Sequence, residues 1–330
     1  MITIKDVAKR AGVSASTVSR ALSGKIPVSE ETKKKVMKAV KELNYQPNVF
    51  AQGLKDGKSK TLGLLIPNVR DLIFPSAILG IEDTANKYGY TVVLCNTDED
   101  IEREKFYINS LRKRLIDGFI ISTARPGHKH LLELKTEGFP MVFLIRQISD
   151  NVDTVTADNF NGAYDATNYL LSRGLENIAL ITGSSDILLY RERFEGYKKA
   201  LQEANIPLNR EIILDDIYGW KDSYKAMSML LKKGFRPDAV FATSDPKAIG
   251  VIRAIKDYGL SVPDDISVMG FDDLDMVALL DPPLTTVSQP FYDMGVEACE
   301  RLIRLIEAKR KPRPLIKALP CKLIIRNSVR

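Results

Sequence analysis

Thr3-Ile4-Lys5-Asp6-Val7-Ala8-Lys9-Arg10-Ala11-Gly12-Val13-Ser14-Ala15-Ser16-Thr17-Val18-Ser19-Arg20-Ala21-Leu22 opens the chain and decides how its first domain is read. Thr3 and Asp6 have the spacing of a capping box, in which the third helical residue reaches back to the cap. The helix they start places Ile4, Val7, Ala8 and Ala11 on one face. Gly12 follows at a tight turn that needs a residue tolerant of positive φ. Ser14 is then placed to cap a second helix, where Val18, Ala21 and Leu22 share one face and Ser16, Ser19 and Arg20 lie on the other. Two short helices joined by a three-residue turn with glycine form the helix-turn-helix pattern.

A third helix starts at Ser29, with Glu30 and Glu31 favourable at its positive end. Val36, Met37, Val40 and Leu43 make its expected core stripe, and Lys33, Lys34, Lys35, Lys38 and Lys41 surround the rest. Residues 1–60 hold 13 Lys and Arg against 5 Asp and Glu, a charge of +8, whereas the whole chain carries +6. A basic head on a body of charge −2 points to a polyanion that meets the head alone. A solvated lysine-rich surface is the plainer alternative. In helix-turn-helix proteins the first residues of the second helix reach base edges. Here these are Ala15, Ser16 and Thr17, with Arg20 one turn further. Hydroxyls bond to several bases, alanine touches a thymine methyl, and arginine takes a guanine bidentately.

These residues, together with Leu43-Asn44-Tyr45-Gln46-Pro47-Asn48, resemble the DNA-binding head of the lactose-repressor (LacI/GalR) family through all three helices. The resemblance implies DNA contacts from Thr3, Ser14, Ala15, Ser16, Thr17, Ser19 and Arg20. It also implies that Pro47-Asn48-Val49-Phe50-Ala51-Gln52-Gly53-Leu54-Lys55-Asp56-Gly57 is a hinge helix that orders on operator DNA. There Asn48, Ala51 and Leu54 meet the duplex, Leu54 as an apolar wedge that kinks a base step in the minor groove. Without the resemblance the stretch reads as a linker. Asn48 can cap a short helix that Gly57 ends, but its length and Gly53 leave that helix marginal when isolated. The family usually has a larger residue where Gly53 stands, so the hinge here is expected to depend more on DNA.

From Leu62 the pattern changes to short apolar strands alternating with amphipathic helices. Expected strands are 62–66, 91–94, 118–122, 141–145, 178–182, 211–214, 239–243 and 267–271, with helices over 76–88, 99–114, 161–173, 190–204, 220–232 and 245–258. Such alternation reads as parallel, doubly wound sheets, here in two groups of four units. Gly80-Ile81-Glu82, Ala157-Asp158-Asn159, Arg193-Phe194-Glu195-Gly196-Tyr197, Gly270-Phe271-Asp272-Asp273 and Pro282-Pro283-Leu284-Thr285-Thr286-Val287 extend the resemblance over nearly the whole chain. It implies an α/β body of the periplasmic-binding-protein type: two subdomains, a cleft, and crossings near residues 158, 288 and 318. The expected organisation is a helix-turn-helix domain over 1–46 and a hinge over 47–60. One subdomain takes 61–158 and 289–318, the other 159–288 and 319–330. No heptad tail follows the end, so a homodimer is expected.

In such sheets ligands sit beyond the carboxyl ends of the strands. Asp272 lies just after a strand, with its carboxylate towards the cleft, and Arg193 starts a facing helix. Together they can grip vicinal hydroxyls through charge-assisted hydrogen bonds, or form a structural ion pair. Trp220, the only tryptophan, can stack on an apolar sugar face or lie in the core. Phe74 is a candidate aromatic wall. Ser244 stands where many relatives have asparagine and is a candidate short polar contact. Two departures from the family pattern matter. Asp71-Leu72-Ile73-Phe74 replaces a commoner Asn-Pro-Phe-Phe, and Ile145-Arg146 removes an acid while adding a cation. Arg146 favours an anionic ligand, such as a phosphorylated sugar or a nucleobase derivative, so carbohydrate is only the leading effector class.

Composition and the remaining motifs narrow the class. At 330 residues, 45% hydrophobic and 27% charged, the chain has the composition of a soluble protein of two or three domains. No run approaches the ~18 apolar residues of a membrane span. Met1-Ile2-Thr3-Ile4-Lys5-Asp6 is no secretory signal. Cys95, Cys299 and Cys321 have no metal or redox spacing. A cytoplasmic protein with no membrane partner is expected. An enzyme is disfavoured: there is no phosphate-binding glycine loop and no nucleophile elbow, and Gly183-Ser184-Ser185 has no obvious histidine partner. The only histidines, His128 and His130, read as an exposed loop or helix start. Two ligands at i, i+2 without nearby partners make a poor metal site, so neither metal nor cofactor is expected. The body would also suit a solute-binding protein without DNA function, or a regulator tuned by a protein co-effector.

Overall fold

The structure, a computed structural model, describes residues 2–23, 27–45, 59–125, 127–310 and 312–330. The chain separates into two compact units, Met1–Ser59 and Lys60–Arg330. The first unit holds α1 (Ile4–Ala11), α2 (Ala15–Ser23) and α3 (Glu30–Glu42). Its helix ends are built as the local chemistry requires. The Thr3 N–H donates to the Asp6 carboxylate at 2.8 Å, and Gly12 turns at φ 67°. Ser14 Oγ accepts the Thr17 N–H at 3.1 Å, and Ser29 Oγ accepts the Thr32 N–H at 3.3 Å. Val7, Val18 and Val36 are fully buried at the centre, with Ala8, Ala21 and Ala39 between them. Burying each valine contributes roughly 1.5–3 kcal/mol. Met37 is not part of this core: it is 50% exposed. It follows Val36 directly and so points about 100° away around the helix, and Ala39 takes the inward position. The hinge positions Asn48, Ala51 and Leu54 lie outside the described residues.

The second unit begins with β1 (Thr61–Ile66), α4 (Phe74–Lys87), β2 (Thr91–Asn96), α5 (Ile101–Lys113), β3 (Gly118–Ile121), α6 (Lys129–Thr136), β4 (Met141–Leu144) and β5 (Thr154–Ala157). It continues with α7 (Asn159–Ser172), β6 (Ile178–Ile181), α8 (Leu188–Glu203), β7 (Ile213–Leu214), α9 (Gly219–Lys232), β8 (Ala239–Ala242), α10 (Asp245–Asp257) and β9 (Ser267–Met269). It ends with β10 (Thr286–Ser288), α11 (Phe291–Glu307), β11 (Ile316–Leu319) and β12 (Lys322–Ile324). A six-stranded sheet has the order β11-β5-β4-β3-β1-β2, and a four-stranded sheet the order β7-β6-β8-β9. Every pairing within these two sheets is parallel. Strands β3, β4, β6 and β8 are buried along their whole length, as expected for strands covered by helices on both faces.

The chain passes between the sheets three times. Strand β5 belongs to the first sheet, and α7, which follows Asp158, packs beside β8, β10 and β12. After β10 the chain returns, and α11 packs on β3, β4 and β5. Strand β11 pairs with β5, and two residues later β12 pairs antiparallel with β10. In the first subdomain α4 and α11 cross at close range. A β-carbon on Gly80 would lie 2.2 Å from the Tyr292 carbonyl oxygen, and one on Gly295 would lie 2.1 Å from that of Ala77. Only glycine permits this approach from either side.

The eight expected strands are present, but the expected 211–214 strand shrinks to two residues because Arg210–Ile212 forms a 3-10 turn. Strands β5, β10, β11 and β12 and helices α6 and α11 extend the expected set. Among the described residues no helix is long and apolar enough to cross a membrane.

Candidate functional site

The outward face of α2 carries the hydroxyls anticipated for it. Ser14 Oγ lies 2.8 Å from both Ser16 Oγ and Thr17 Oγ1, so cap and surface hydroxyls form one network. Ser16 and Arg20 are exposed, while Ala15, Thr17 and Ser19 are half-buried; Thr3 is exposed at the start of α1. Part of the cationic surface of α1 and α3 is already satisfied. Lys35 pairs with Glu31 at 2.8 Å, and Arg10 pairs with Glu42 at 2.6 Å.

The second unit contains a cavity of about 490 Å³ between the two sheets, at the carboxyl ends of their strands. The first subdomain supplies Asn68 after β1, Asp71 and Phe74 at the start of α4, and Ile145 and Arg146 after β4. The second supplies Tyr190 and Arg193 on α8, Ser244 and Lys247 around the start of α10, and Asp272 after β9. Gln289 and Phe291, where the chain crosses back, also line the cavity. The backbone is strained at both walls: Ile145 has φ 69° and Asp272 φ 130°. Strain of this kind in β-branched and other non-glycine residues gathers at functional sites.

Asp272 is fixed by the turn that carries it. Its N–H donates to the Val287 carbonyl at 2.8 Å, and Gln289 Nε2 donates to its carboxylate at 2.7 Å. The fully buried Asp245 accepts the Leu274 N–H at 2.8 Å and the Thr286 hydroxyl at 2.6 Å, and Arg326 holds Asp273 at 2.8 Å. Burial pushes the Asp272 carboxyl up to about 7, although Arg193 pulls the other way. Arg193 is itself engaged: Nε donates to Asn159 Oδ1 at 2.9 Å, Nη1 to the Thr243 carbonyl at 2.6 Å, and the guanidinium lies 3.7 Å from the centre of the Phe271 ring. Its Nη1 is 3.8 Å from Asp272 Oδ1.

The opposite wall has a second charged cluster. Arg146 grips Glu99 bidentately at 3.1 and 2.8 Å, and Arg125 reaches the same carboxylate at 2.9 Å. Burial works against the charge on Glu99, but the two guanidinium groups outweigh it and hold the carboxyl below its usual range. Burial raises Asp71 above its usual range, with Arg146 and Lys247 opposing. Lys247 is 1% exposed; its Nζ is 3.1 Å from Ser244 Oγ, 3.4 Å from the Tyr190 hydroxyl and 4.5 Å from that ring's centre. Among the described residues no carboxylate lies within ion-pair distance of it.

Asp71, Phe74, Arg146, Arg193, Ser244 and Asp272 thus line one cavity, whereas Trp220 does not. Gly219 turns at φ 64°, and Trp220 in the first turn of α9 packs its carbonyl towards Gly250 and projects its ring outwards, 51% exposed. It lines an adjoining groove with Leu72, Ile249 and Met276, which shares Asp71, Gly219 and Pro246 with the cavity, and Tyr218, two residues earlier, faces the cavity instead. Lys247, Tyr190, Asn68 and Gln289 were not singled out from the sequence. The histidines sit at a helix start, one of the two readings expected for them, with His128 capping α6 and His130 in its first turn, but they are neither exposed nor without partners. The His128 and His130 side chains are only 9% and 15% exposed, and both meet the buried Glu104 of α5. Burial works against the charge on Glu104, but the two imidazoles and the Thr123 hydroxyl outweigh it and hold the carboxyl at about 2.

Residues 3–48 match the sequence profile of the bacterial regulatory proteins of the lacI family, and residues 167–329 match that of the periplasmic binding protein-like domain. The chain is 40% identical to the HTH-type transcriptional regulator RegA of Clostridium saccharobutylicum, over 94% of this chain and 95% of that one. It is 39% identical to the ribose operon repressor of Halalkalibacterium halodurans, over 100% and 98% of the two chains. The lac repressor dimer bound to operator and the anti-inducer ONPF superposes with a TM-score of 0.89 at 29% identity, covering 99% of this chain and 98% of that one. The chain belongs to the lacI family of bacterial regulatory proteins and is a DNA-binding transcriptional regulator.

Proposed function

We propose that this regulator is a repressor whose affinity for a pseudopalindromic operator is set by a sugar held in the interdomain cleft. The convergence of Arg193 and Asp272 on a cavity of about 490 Å³ carries the reading. The size suits a small ligand, and a cation and a carboxylate at this spacing present a donor and an acceptor to neighbouring hydroxyls. Asn68 and Gln289 add amides, and Phe74, Tyr190 and Phe291 supply apolar faces. The ligand leaves unchanged, since binding alone is needed to shift the equilibrium between two conformations.

In this reading Thr3, Ser14, Ala15, Ser16, Thr17, Ser19 and Arg20 meet the operator, joined by Asn48, Ala51 and Leu54 of the hinge. The head extends over 1–46 and the hinge over 47–60. One subdomain is 61–158 with 289–318, the other 159–288 with 319–330. A cytoplasmic homodimer presents two heads, because two-fold protein symmetry is mirrored in two half-sites.

One observation favours an anionic derivative over a neutral sugar: Lys247 is buried at the cleft without a carboxylate partner among the described residues. Asp71 and Asp272 feel its charge without forming an ion pair, and since buried charges are ordinarily paired directly, a phosphorylated sugar supplies a contacting anion. Thermal-shift measurements on the full chain with neutral sugars, sugar phosphates and purines test both readings. A sugar that raises Tm and changes operator affinity supports the first, and a response confined to sugar phosphates supports the second. A response to purines alone contradicts both.

A further inference from the structure

Away from the cleft, one cluster of ligating side chains is left without a role. Glu104 on α5 is 1% exposed. His130 Nε2 lies 2.5 Å from Glu104 Oε1, and His128 Nδ1 lies 3.1 Å from the same oxygen. The three donor atoms all fall within 4.8 Å of one another. The Thr123 hydroxyl donates to the other carboxylate oxygen, Oε2, and so orients the group. The two imidazole rings sit side by side, 5.4 Å between centres and inclined at 34°. His128 Nδ1 is buried beside the carboxylate but outside hydrogen-bond geometry, so this ring nitrogen has no hydrogen-bond partner. A buried polar atom in that condition is rare and calls for a ligand or another explanation.

We propose that Glu104, His128 and His130 bind a divalent transition-metal ion of the zinc class. Two imidazoles and one carboxylate are a zinc donor set that leaves a fourth position for water. Donor atoms around a tetrahedral zinc are ~3.3 Å apart. His128 already stands at that spacing from Glu104, and His130 needs to withdraw by about 1 Å. The Thr123 hydroxyl is the outer partner that a ligating carboxylate requires. The ligands join two elements, since Glu104 comes from α5 and the imidazoles from the end of the β3–α6 connection and the first turn of α6. That connection also carries Arg125, which meets Glu99 at the wall of the cleft. A bound ion therefore fixes the segment that positions the Arg125–Glu99–Arg146 cluster.

The test uses the full chain freed of metal by a chelator. Zinc chloride is titrated in competition with a chromophoric chelator, and cobalt(II) reports the donor set. Wild type is expected to take up one zinc per chain. Glu104→Gln, which keeps the shape and the Thr123 contact, and His130→Gln, at the most exposed ligand, should each weaken binding by about 100-fold or more, above the range for losing an outer partner. His130→Gln decides if the Glu104 variant fails to fold. Cobalt should give visible bands of a nitrogen–oxygen set. A thiolate-to-cobalt charge-transfer band would show capture by Cys95, Cys299 or Cys321 and overturn the proposal. So would a wild-type chain that does not compete for zinc, or folded variants that bind it as wild type does.

Discussion

Arg193 Nη1 and Asp272 Oδ1 face each other across 3.8 Å, close enough to attract and too far apart to share a hydrogen bond. Each is held from behind by other groups, Arg193 by Asn159 and the Thr243 carbonyl and Asp272 by Gln289. They form a preset pair rather than a closed ion pair, so a hydroxyl placed between them can donate to one and accept from the other.

If the proposed ligand donates to Asp272, its binding should depend on pH. Burial raises the Asp272 carboxyl to about 7, so the free protein loses the carboxylate as pH falls through neutrality. A ligand hydroxyl that donates to Asp272 needs the ionised form. Affinity should be highest above pH 8 and fall by about tenfold per pH unit below 6, the linkage expected of one proton. Calorimetric titration of the ligand at pH 5.5, 6.5 and 8 checks this. Equal affinity at all three values would remove Asp272 from direct contact.

Lys247→Met should separate stability from function. The substitution keeps the apolar stem and removes a buried charge, so the ligand-free chain should gain about 1–2 kcal/mol. Ligand affinity should fall tenfold or more, and further for an anionic ligand. Denaturant titration and calorimetry on the same sample read both. A less stable variant with intact binding would make the lysine a structural element.

Gly80→Ala tests the crossing of α4 and α11. Helix propensity alone predicts a gain of ~1 kcal/mol, but the new carbon would meet the Tyr292 carbonyl at 2.2 Å. Overpacking against backbone should win and destabilise the body by ~3 kcal/mol. A rise in Tm would show that the helices separate without penalty.

Three tests address the DNA half. Operator affinity should fall steeply with salt, because head and hinge together, residues 1–60 with a charge of +8, release counterions from the phosphates they meet. Leu54→Ala should weaken operator binding and bending while Tm of the body stays unchanged. A fragment starting near Lys60 should stay folded and keep its ligand while losing the operator. An operator bent and bound as tightly by Leu54→Ala as by wild type would exclude the wedge.

The legible part of this molecule is that with strong periodicity. The capping residues Thr3, Asp6 and Ser14 and the buried Val7 and Val18 follow from local spacing, as do the eight apolar strands. Strands β5 and β10 carry few apolar residues, and β11 and β12 are short, largely unburied and each contain a lysine, so none of the four stands out. Thr154-Val155-Thr156-Ala157 is buried because tertiary context covers it, not because its pattern demands it. The cleft is read unevenly for the same reason. Asp272 and Arg193 lie in segments with a family likeness, but Lys247 looks like any surface lysine until the first turn of α10 aims it inwards. Trp220 is the converse: its position two residues past Tyr218 rotates a promising ring out of the cavity. Glu104 is 24 residues from His128, and only the packing of α5 against the β3–α6 connection brings them together.

The central claim is that the cleft and the operator are coupled, and fluorescence anisotropy of labelled operator titrated with wild type and Asp272→Ala, with and without ligand, tests it most directly. The ligand should change wild-type operator affinity by about 5–150-fold, and by linkage the operator should change ligand affinity by the same factor. Asp272→Ala should bind operator nearly as wild type does without ligand and show no response to it. An Asp272→Ala variant with a normal response, or a wild-type chain whose operator affinity ignores a bound ligand, would contradict the account.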